Sequence, residues 1–327
     1  MLKFVDLFCG GGFGARGAVK AGARPILAVD AWDLATDTYK ANFPGAEVIN
    51  KKIEDVDPYE YAIKYKPDVL LTSPECTSHS IARGARPGCE ESKATALGIL
   101  PWIDAMSPRW VIVENVPRMK QWERHNDLIA DIESAGYKVN PLVLNSADFG
   151  TPQARKRMFL VCDKFQSTIT LSDLLSLHKK SRKSAESIID RSGKYKSTPL
   201  YTEKRAKGTI ERAERAIAEL GSNRDFLIVY YSSDYAGGWQ RLEDPLRTVT
   251  TVDRFGLVTW QNNKPYLRML QPTELLKAMG AGPNHILSSG NRRDKVKLCG
   301  NGVCSPVTEI IFRKINQIMD SELEMVS

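Results

Sequence analysis

The chain has 327 residues; at about 150 residues per domain this suits roughly two domains, too many residues for a bare binding module and too few for three domains. A composition of 42% hydrophobic and 26% charged residues excludes wholesale disorder, a collagen-like repeat and a disulfide-stapled miniprotein. The 46 Lys and Arg against 39 Asp and Glu leave a net charge of +7, which suggests an acidic partner without identifying one.

In chain order, Leu2–Leu7 reads as a buried strand, Cys9–Gly14 as a glycine-rich turn, and Ala15–Ala21 as a helix closed by Gly22. Pro25–Asp30 is the next strand and Leu34–Asn42 a helix, followed by short apolar strands at Val48–Ile49 and Pro67–Thr72. Trp110–Glu114 is a strand after a Ser-Pro-Arg turn, Asp127–Ala135 a helix ended by Gly136, and Arg157–Cys162 one more strand. Short apolar strands alternating with helices predict an α/β fold with a mostly parallel sheet and helices on both faces. Such sheets bind ligands beyond the carboxyl ends of their strands, so residues at those ends are the candidates for chemistry.

After Cys162 the composition shifts, which puts a domain boundary near residue 165. Lys164–Arg215 carries 13 Lys and Arg against 6 Asp and Glu, so the whole net charge of the chain sits in this stretch. Thr209–Leu220 is an amphipathic helix with Ile210, Ala213, Ile217 and Leu220 on a face expected to be core. Phe226–Tyr231 reads as a strand and Tyr235–Trp239 as a turn-rich loop. The six cysteines (Cys9, Cys76, Cys89, Cys162, Cys299 and Cys304) form no CxxC pair, and no His or Cys near Cys299 and Cys304 completes a zinc site. Free thiols and no metal are therefore expected. No apolar run reaches the roughly 18–20 residues of a membrane span, and the first residues enter a strand without a signal-peptide pattern, so a cytoplasmic, membrane-free setting is expected.

Five segments could carry chemistry. Asp6-Leu-Phe-Cys-Gly-Gly-Gly12 joins the first strand to the first helix, where glycines let a nucleotide-like ligand approach the backbone; a tight turn alone would also use them. Asp30 ends the next strand, a place where a carboxylate grips ribose hydroxyls or caps a helix. Ser73-Pro-Glu-Cys-Thr-Ser-His-Ser80 sets Cys76 in a polar loop after a strand, accessible as a nucleophile, although most single cysteines are inert. Glu114 ends an apolar strand, which aims an acid of raised pKa into the crevice. Gln153-Ala-Arg-Lys-Arg157 precedes the last strand and in isolation would be a solvated basic turn.

Together, and in this order, the segments resemble the signatures of the DNA (cytosine-5)-methyltransferase family of bacterial or phage type. The likeness runs from Phe4 to Cys162 and resumes from Leu246 to Ile311, roughly two-thirds of the chain. Its later part includes Arg247-Thr-Val-Thr-Thr251, Leu270–Gly280 and Gly300-Asn-Gly-Val303. The chain departs from the family pattern at Glu75 and Thr77 beside the cysteine, at His79, at Phe13 and at Lys52, which lies where many members place an acid. A carboxylate at Glu75 should raise the thiol pKa of Cys76 if it points inward.

The resemblance implies a Rossmann-like S-adenosylmethionine-dependent methyltransferase sheet with a smaller target-recognition domain. On this basis residues 1–165 are catalytic and cofactor-binding, 166–287 recognise the target, and 288–327 return to the catalytic domain. It also implies methyl transfer from S-adenosyl-L-methionine to C5 of a flipped-out cytosine in double-stranded DNA, through a covalent bond from Cys76 to C6. Glu114 would act in its protonated form, Arg155 and Arg157 would orient the base or the cysteine loop, and Asn115 would support the pocket. Phe8, Gly10, Gly12, Asp30 and Asn301 would hold the cofactor. Ser80, Gln153, Gln240 and Arg241 would meet DNA, with Tyr235 and Trp239 as further candidates. The enzyme is expected to act as a monomer; the alternatives are an RNA cytosine-5 methyltransferase on the same fold and an inactive DNA-binding member.

Overall fold

Apolar strands that cannot expose either face must be covered on both, and the first half of the chain does this. A computed structural model describes residues 1–74, 95–122, 124–178, 181–231 and 235–326. In order these form β1 (Lys3–Leu7), α1 (Phe13–Lys20), β2 (Arg24–Asp30), α2 (Asp33–Asn42), β3 (Glu47–Asn50), α3 (Pro58–Lys64), β4 (Val69–Thr72), α4 (Leu100–Met106), β5 (Trp110–Asn115), α5 (His125–Ser134), β6 (Lys138–Asn145) and β7 (Lys156–Asp163). The seven strands make one sheet in the order β3-β2-β1-β4-β5-β7-β6. Strands β3, β2, β1, β4 and β5 are parallel neighbours, and β7 runs antiparallel to both β5 and β6. The α/β class and the mostly parallel sheet expected from the sequence are present.

Alternate residues of the central strands enter different cores. Phe4, Val69, Leu71, Trp110 and Ile112 face one side, where Phe312 and Ile315 of the last helix cover them. Val5, Leu7, Leu70, Val111 and Val113 face the other, against Ile103 of α4 and Leu128 and Ile132 of α5. Among the elements of this first half, α3, α4 and β6 are not predicted by the sequence pattern. The last is an edge strand that exposes Pro141 and Val143 and buries Asn140, Leu142 and Leu144, so it has no continuous apolar run to announce it.

The rest of the chain adds α6 (Leu171–Ser176), β8 (Thr198–Pro199), α7 (Lys207–Leu220), β9 (Phe226–Val229), β10 (Trp239–Arg241), β11 (Phe255–Gln261), β12 (Lys264–Met269), α8 (Pro272–Ala278), α9 (Arg292–Asn301) and α10 (Ser305–Val326). Five of the strands form a second sheet, antiparallel throughout, in the order β10-β9-β11-β12-β8. Helix α7 places Ala213 and Ala216, with Ile217 and Leu220 beside them, on Phe226, Ile228, Val258 and Leu267 of this sheet, whereas Ile210 of the expected face is only half-buried and lies outside this cluster. The opposite face, with Leu227, Val229, Phe255 and Leu257, joins the core shared with the first sheet. Among the described residues no helix is long and apolar enough to cross a membrane.

The last helix closes on the first. Ser305 Oγ donates to the Phe13 carbonyl at 2.7 Å, and Asn316 Nδ2 to that of Ala21 at 2.9 Å. Near its far end, Glu322 receives a two-pronged contact from Arg109 at 2.6 and 2.7 Å, and Arg109 Nε also lies 3.2 Å from the buried Asp163 carboxylate. Burial alone would raise the Asp163 pKa, but hydrogen bonds from Ser167, Arg109 and Phe165 outweigh it and hold the group below the usual carboxylate value. The stabilisation is therefore present above the unfolded pKa and is lost as pH falls through the folded one. Arg109→Ala should cost about 2–3 kcal/mol at neutral pH by removing the cation beside a buried acid, and part of the acid-side loss of stability should vanish with it. Urea unfolding from pH 7 down to pH 3 measures both effects.

Candidate active site

Parallel strands β2, β1, β4 and β5 bring four strand ends to one edge of the sheet. Beyond β1, Phe8 has a φ of 54°, a left-handed conformation costly for a residue with a Cβ, and its carbonyl accepts the Ser73 hydroxyl at 3.0 Å. Gly10 follows with a φ of 51°, and a Cβ built on it would meet nothing within 4 Å, so this turn offers bare backbone to open space. Gly12 caps α1 with a φ of 77°. Asp30, at the end of β2, ties the turn down: one carboxylate oxygen accepts the Gly10 N–H at 2.8 Å and the other the Trp32 N–H at 2.9 Å.

Burial raises the Asp30 pKa, opposed by the N–H groups of Trp32 and Gly10 and by the charge of Lys297. The Lys297 ammonium lies 4.3 Å from the centre of the Trp32 ring. Bare glycine backbone, a carboxylate with lone pairs remaining and a half-buried indole suit a ligand with a nucleoside portion, so the residues fit S-adenosylmethionine. Trp32 and Lys297 were not among the expected residues; the signal for Trp32 was its place two residues beyond Asp30 at a helix start. Asn301 ends α9 and is exposed.

At the end of β5, Glu114 is buried, and Arg157 Nε lies 3.1 Å from its Oε1. Burial raises the Glu114 pKa; the charges of Arg157 and then Arg155 pull against it, and burial prevails. The two arginines differ. Arg157 meets the acid, whereas Arg155 is buried with Nη1 donating to the Val249 carbonyl and Nη2 to that of Gly300, both at 2.9 Å. Gly300 has to be glycine for a contact reason, since a Cβ there would come within 2.3 Å of the Thr250 carbonyl carbon. Asn115, next to Glu114, donates from Nδ2 to the Pro74 carbonyl at 3.3 Å and accepts the Val116 N–H at 2.8 Å. It therefore anchors the chain two residues before Cys76. Cys76 itself, with Ser80, Glu75, Thr77, His79 and Cys89, lies outside the described residues.

Two residues expected to meet DNA are placed otherwise. Gln153 is fully buried, with its amide donating to the Ala278 carbonyl at 3.1 Å and accepting the Val249 N–H at 2.8 Å. Gln240 is also buried; its amide donates to the Pro245 carbonyl at 3.1 Å and accepts the Arg247 N–H at 3.0 Å. Both amides are engaged by backbone inside the protein, so neither is offered to a base edge. Arg241 is exposed and lies 3.3 Å from Glu219, Trp239 packs beside the small core, and the Tyr235 side chain lies outside the described residues.

At least four of the 13 basic residues of Lys164–Arg215 pair with acids: Arg182 with Asp148, Arg191 with Glu186 and Asp225, Lys194 with Asp190, and Lys207 with Glu211. Cys9, Cys162, Cys299 and Cys304 are buried free thiols whose pKa values burial raises, Cys299 to about 12. Among the described residues no group of three or more His, Cys, Asp or Glu side chains could hold a metal ion.

A family model described as C-5 cytosine-specific DNA methylase matches residues 2–317. The chain belongs to this family. It is similar at 30% identity over 175 residues to the Type II methyltransferase M.HgiDI of Herpetosiphon aurantiacus, a match covering 53% of this chain and 56% of the relative. It is also similar at 29% identity over 174 residues to the tRNA (cytosine(38)-C(5))-methyltransferase of Homo sapiens, covering 51% and 43%. The chain thus matches about half the length of these curated relatives. Its fold is similar to that of the S. pombe Dnmt2 methyltransferase, with a TM-score of 0.67 at 15% identity and 98% of each chain covered. In this family member, Gly300→Ala should drive α9 off the Thr250 backbone and cost about 1–3 kcal/mol, read as a lower urea midpoint with an unchanged m-value.

Proposed function

We propose that the chain transfers a methyl group from S-adenosyl-L-methionine to C5 of a cytosine in a short double-stranded DNA sequence. The observation that carries the reading is Glu114, buried at the end of β5 with Arg157 at 3.1 Å and with the base of the Pro74-Glu-Cys76 segment tied to the adjoining Asn115.

Cytosine C5 is a poor nucleophile. The Cys76 thiolate adds to C6, which makes C5 enamine-like and places negative charge toward N3. Glu114, whose pKa burial raises, acts in its protonated form, donating a hydrogen bond there and contacting the exocyclic amine. Arg157 holds the carboxyl group in place, and Arg155 fixes the start of β7 that carries Arg157. When bound, S-adenosylmethionine supplies an electrophilic methyl group; Phe8, Gly10, Gly12, Asp30 and Asn301 hold it. After methylation a base takes the C5 proton, and Cys76 leaves C6 by elimination. The target atom is unreachable inside a duplex, so the base is flipped out. Residues 166–287, which contain the antiparallel sheet, form the recognition part, while 1–165 and 288–327 form the catalytic part. Exposed basic residues of the recognition part give sequence-independent phosphate affinity.

A second reading, transfer to RNA, is favoured by the similarity to the tRNA methyltransferase. Labelled methyl transfer to duplex DNA and to transfer RNA, run side by side, separates the two. Incorporation into DNA is expected, and incorporation into transfer RNA alone would reverse the assignment. A DNA duplex bearing 5-fluorocytosine should trap the protein covalently, and the trap should disappear in Cys76→Ser. Glu114→Gln should lower turnover by about 10²–10⁴-fold with cofactor affinity retained.

The pH profile gives an independent check. Removing the Arg157 charge takes away an influence that lowers the Glu114 pKa, so Arg157→Gln should move the alkaline limb of methyl transfer to higher pH while reducing the maximal rate.

A further inference from the structure

The two glutamines that are turned inward lie on opposite sides of the same four residues, Leu246–Val249. On one side this strap is stitched to the segment leading into β7. Leu246 N donates to the Pro152 carbonyl at 3.0 Å, Ala154 N to that of Leu246 at 2.7 Å, and Thr248 Oγ1 to that of Ala154 at 3.1 Å. Val249 donates its N–H to Gln153 and accepts Arg155 on its carbonyl, at 2.8 and 2.9 Å. On the other side the strap is gripped from the antiparallel sheet. Gln240 of β10 takes the Arg247 N–H and donates to the Pro245 carbonyl, and Tyr231, two residues beyond β9, donates its hydroxyl to the Thr248 carbonyl at 2.6 Å.

Leu246 and Val249 are buried and Arg247 and Thr248 between them are half-buried, so water has little access to the bonds made by Val249. The Tyr231 phenol is pushed up to about 12 by burial, which keeps it a donor across the working pH range. Through the Val249 carbonyl the strap reaches Arg155 directly.

We propose that Gln240 and Tyr231 are positioning residues that transmit the placement of the target-recognition sheet, through Leu246–Val249, to Arg155 and so to the Arg157–Glu114 pair. The proposal rests on the methyltransferase reading above and adds to it a route by which seating of the target sets the geometry of the acid. A glutamine that reads bases raises KM when lost. A glutamine that positions the catalytic arginines lowers kcat instead, because interactions made at the transition state are the ones weakened.

The test uses the full chain with Tyr231→Phe, which deletes one oxygen, and Gln240→Met, which keeps the volume but loses both hydrogen bonds. Methyl transfer to duplex DNA gives kcat and KM, and hydrogen exchange is followed at the amides of Leu246, Arg247, Val249 and Ala154. Each variant should lower kcat by roughly tenfold or more while KM for DNA stays within about twofold. Exchange should quicken at Arg247 and also across the strap, at Val249 and Ala154. Should Gln240→Met fail to fold, Tyr231→Phe alone decides. A raised KM with unchanged kcat would make Gln240 a DNA-reading residue and overturn the proposal. Quickened exchange that stops at Arg247 would overturn it as well, because the strap then transmits nothing. If the unaltered protein methylates neither DNA nor RNA, the parent reading fails, while the exchange measurement still decides whether the strap couples the two sheets.

Discussion

A carboxyl group held away from water at the end of an apolar strand must either stay protonated or be met by a cation. At Glu114 both influences meet: burial raises its pKa, and Arg157 lies 3.1 Å away. Arg157 can occupy that place because the chain entering β7 is held by Arg155, which is anchored on carbonyls of Val249 and Gly300. Stretches far apart in sequence thus converge on one acid. The missing side chain at Gly300 lets the helix end come up against the Thr250 backbone and keeps that anchor in range.

The same edge of the sheet carries the glycine turn. Leu7 pairs with Thr72 and Thr72 with Val113, so the loops that follow β1, β4 and β5 start side by side. Short cross-links then hold them together, from Ser73 to Phe8 and from Asn115 to Pro74. The register of three parallel strands therefore brings the cofactor-fitting turn, the base of the cysteine segment and the acid to neighbouring positions. A shift by one residue would turn Glu114 to the other face and break the arrangement.

Much of this could be read before the fold was known. Val69–Leu71 and Trp110–Val113 are apolar without interruption because both faces of a parallel sheet are covered, and a continuous apolar run is a local signal. Glu114 stands out because it ends such a run. Strand β6 gave no comparable signal, since an edge strand with one exposed face and a proline resembles a loop. The basic excess of Lys164–Arg215 is legible as a count but not as a bare surface, because Asp148 and Asp225, outside that stretch, pair with Arg182 and Arg191.

By itself the sequence determined the α/β class, the glycine turn, the acid at the strand end and the family likeness. These depend on residues close together in the chain or on short motifs in a set order. Only the tertiary structure decided that Arg155 is a strut while Arg157 meets the acid, and that Gln153 and Gln240 bind backbone. A glutamine amide bonds a base edge or a peptide group equally well, and an arginine fork suits a carboxylate or two carbonyls. The choice is made by burial and by which backbone groups arrive alongside. For Gln153 those groups belong to Val249 and Ala278, about a hundred residues further along, beyond the reach of any local pattern.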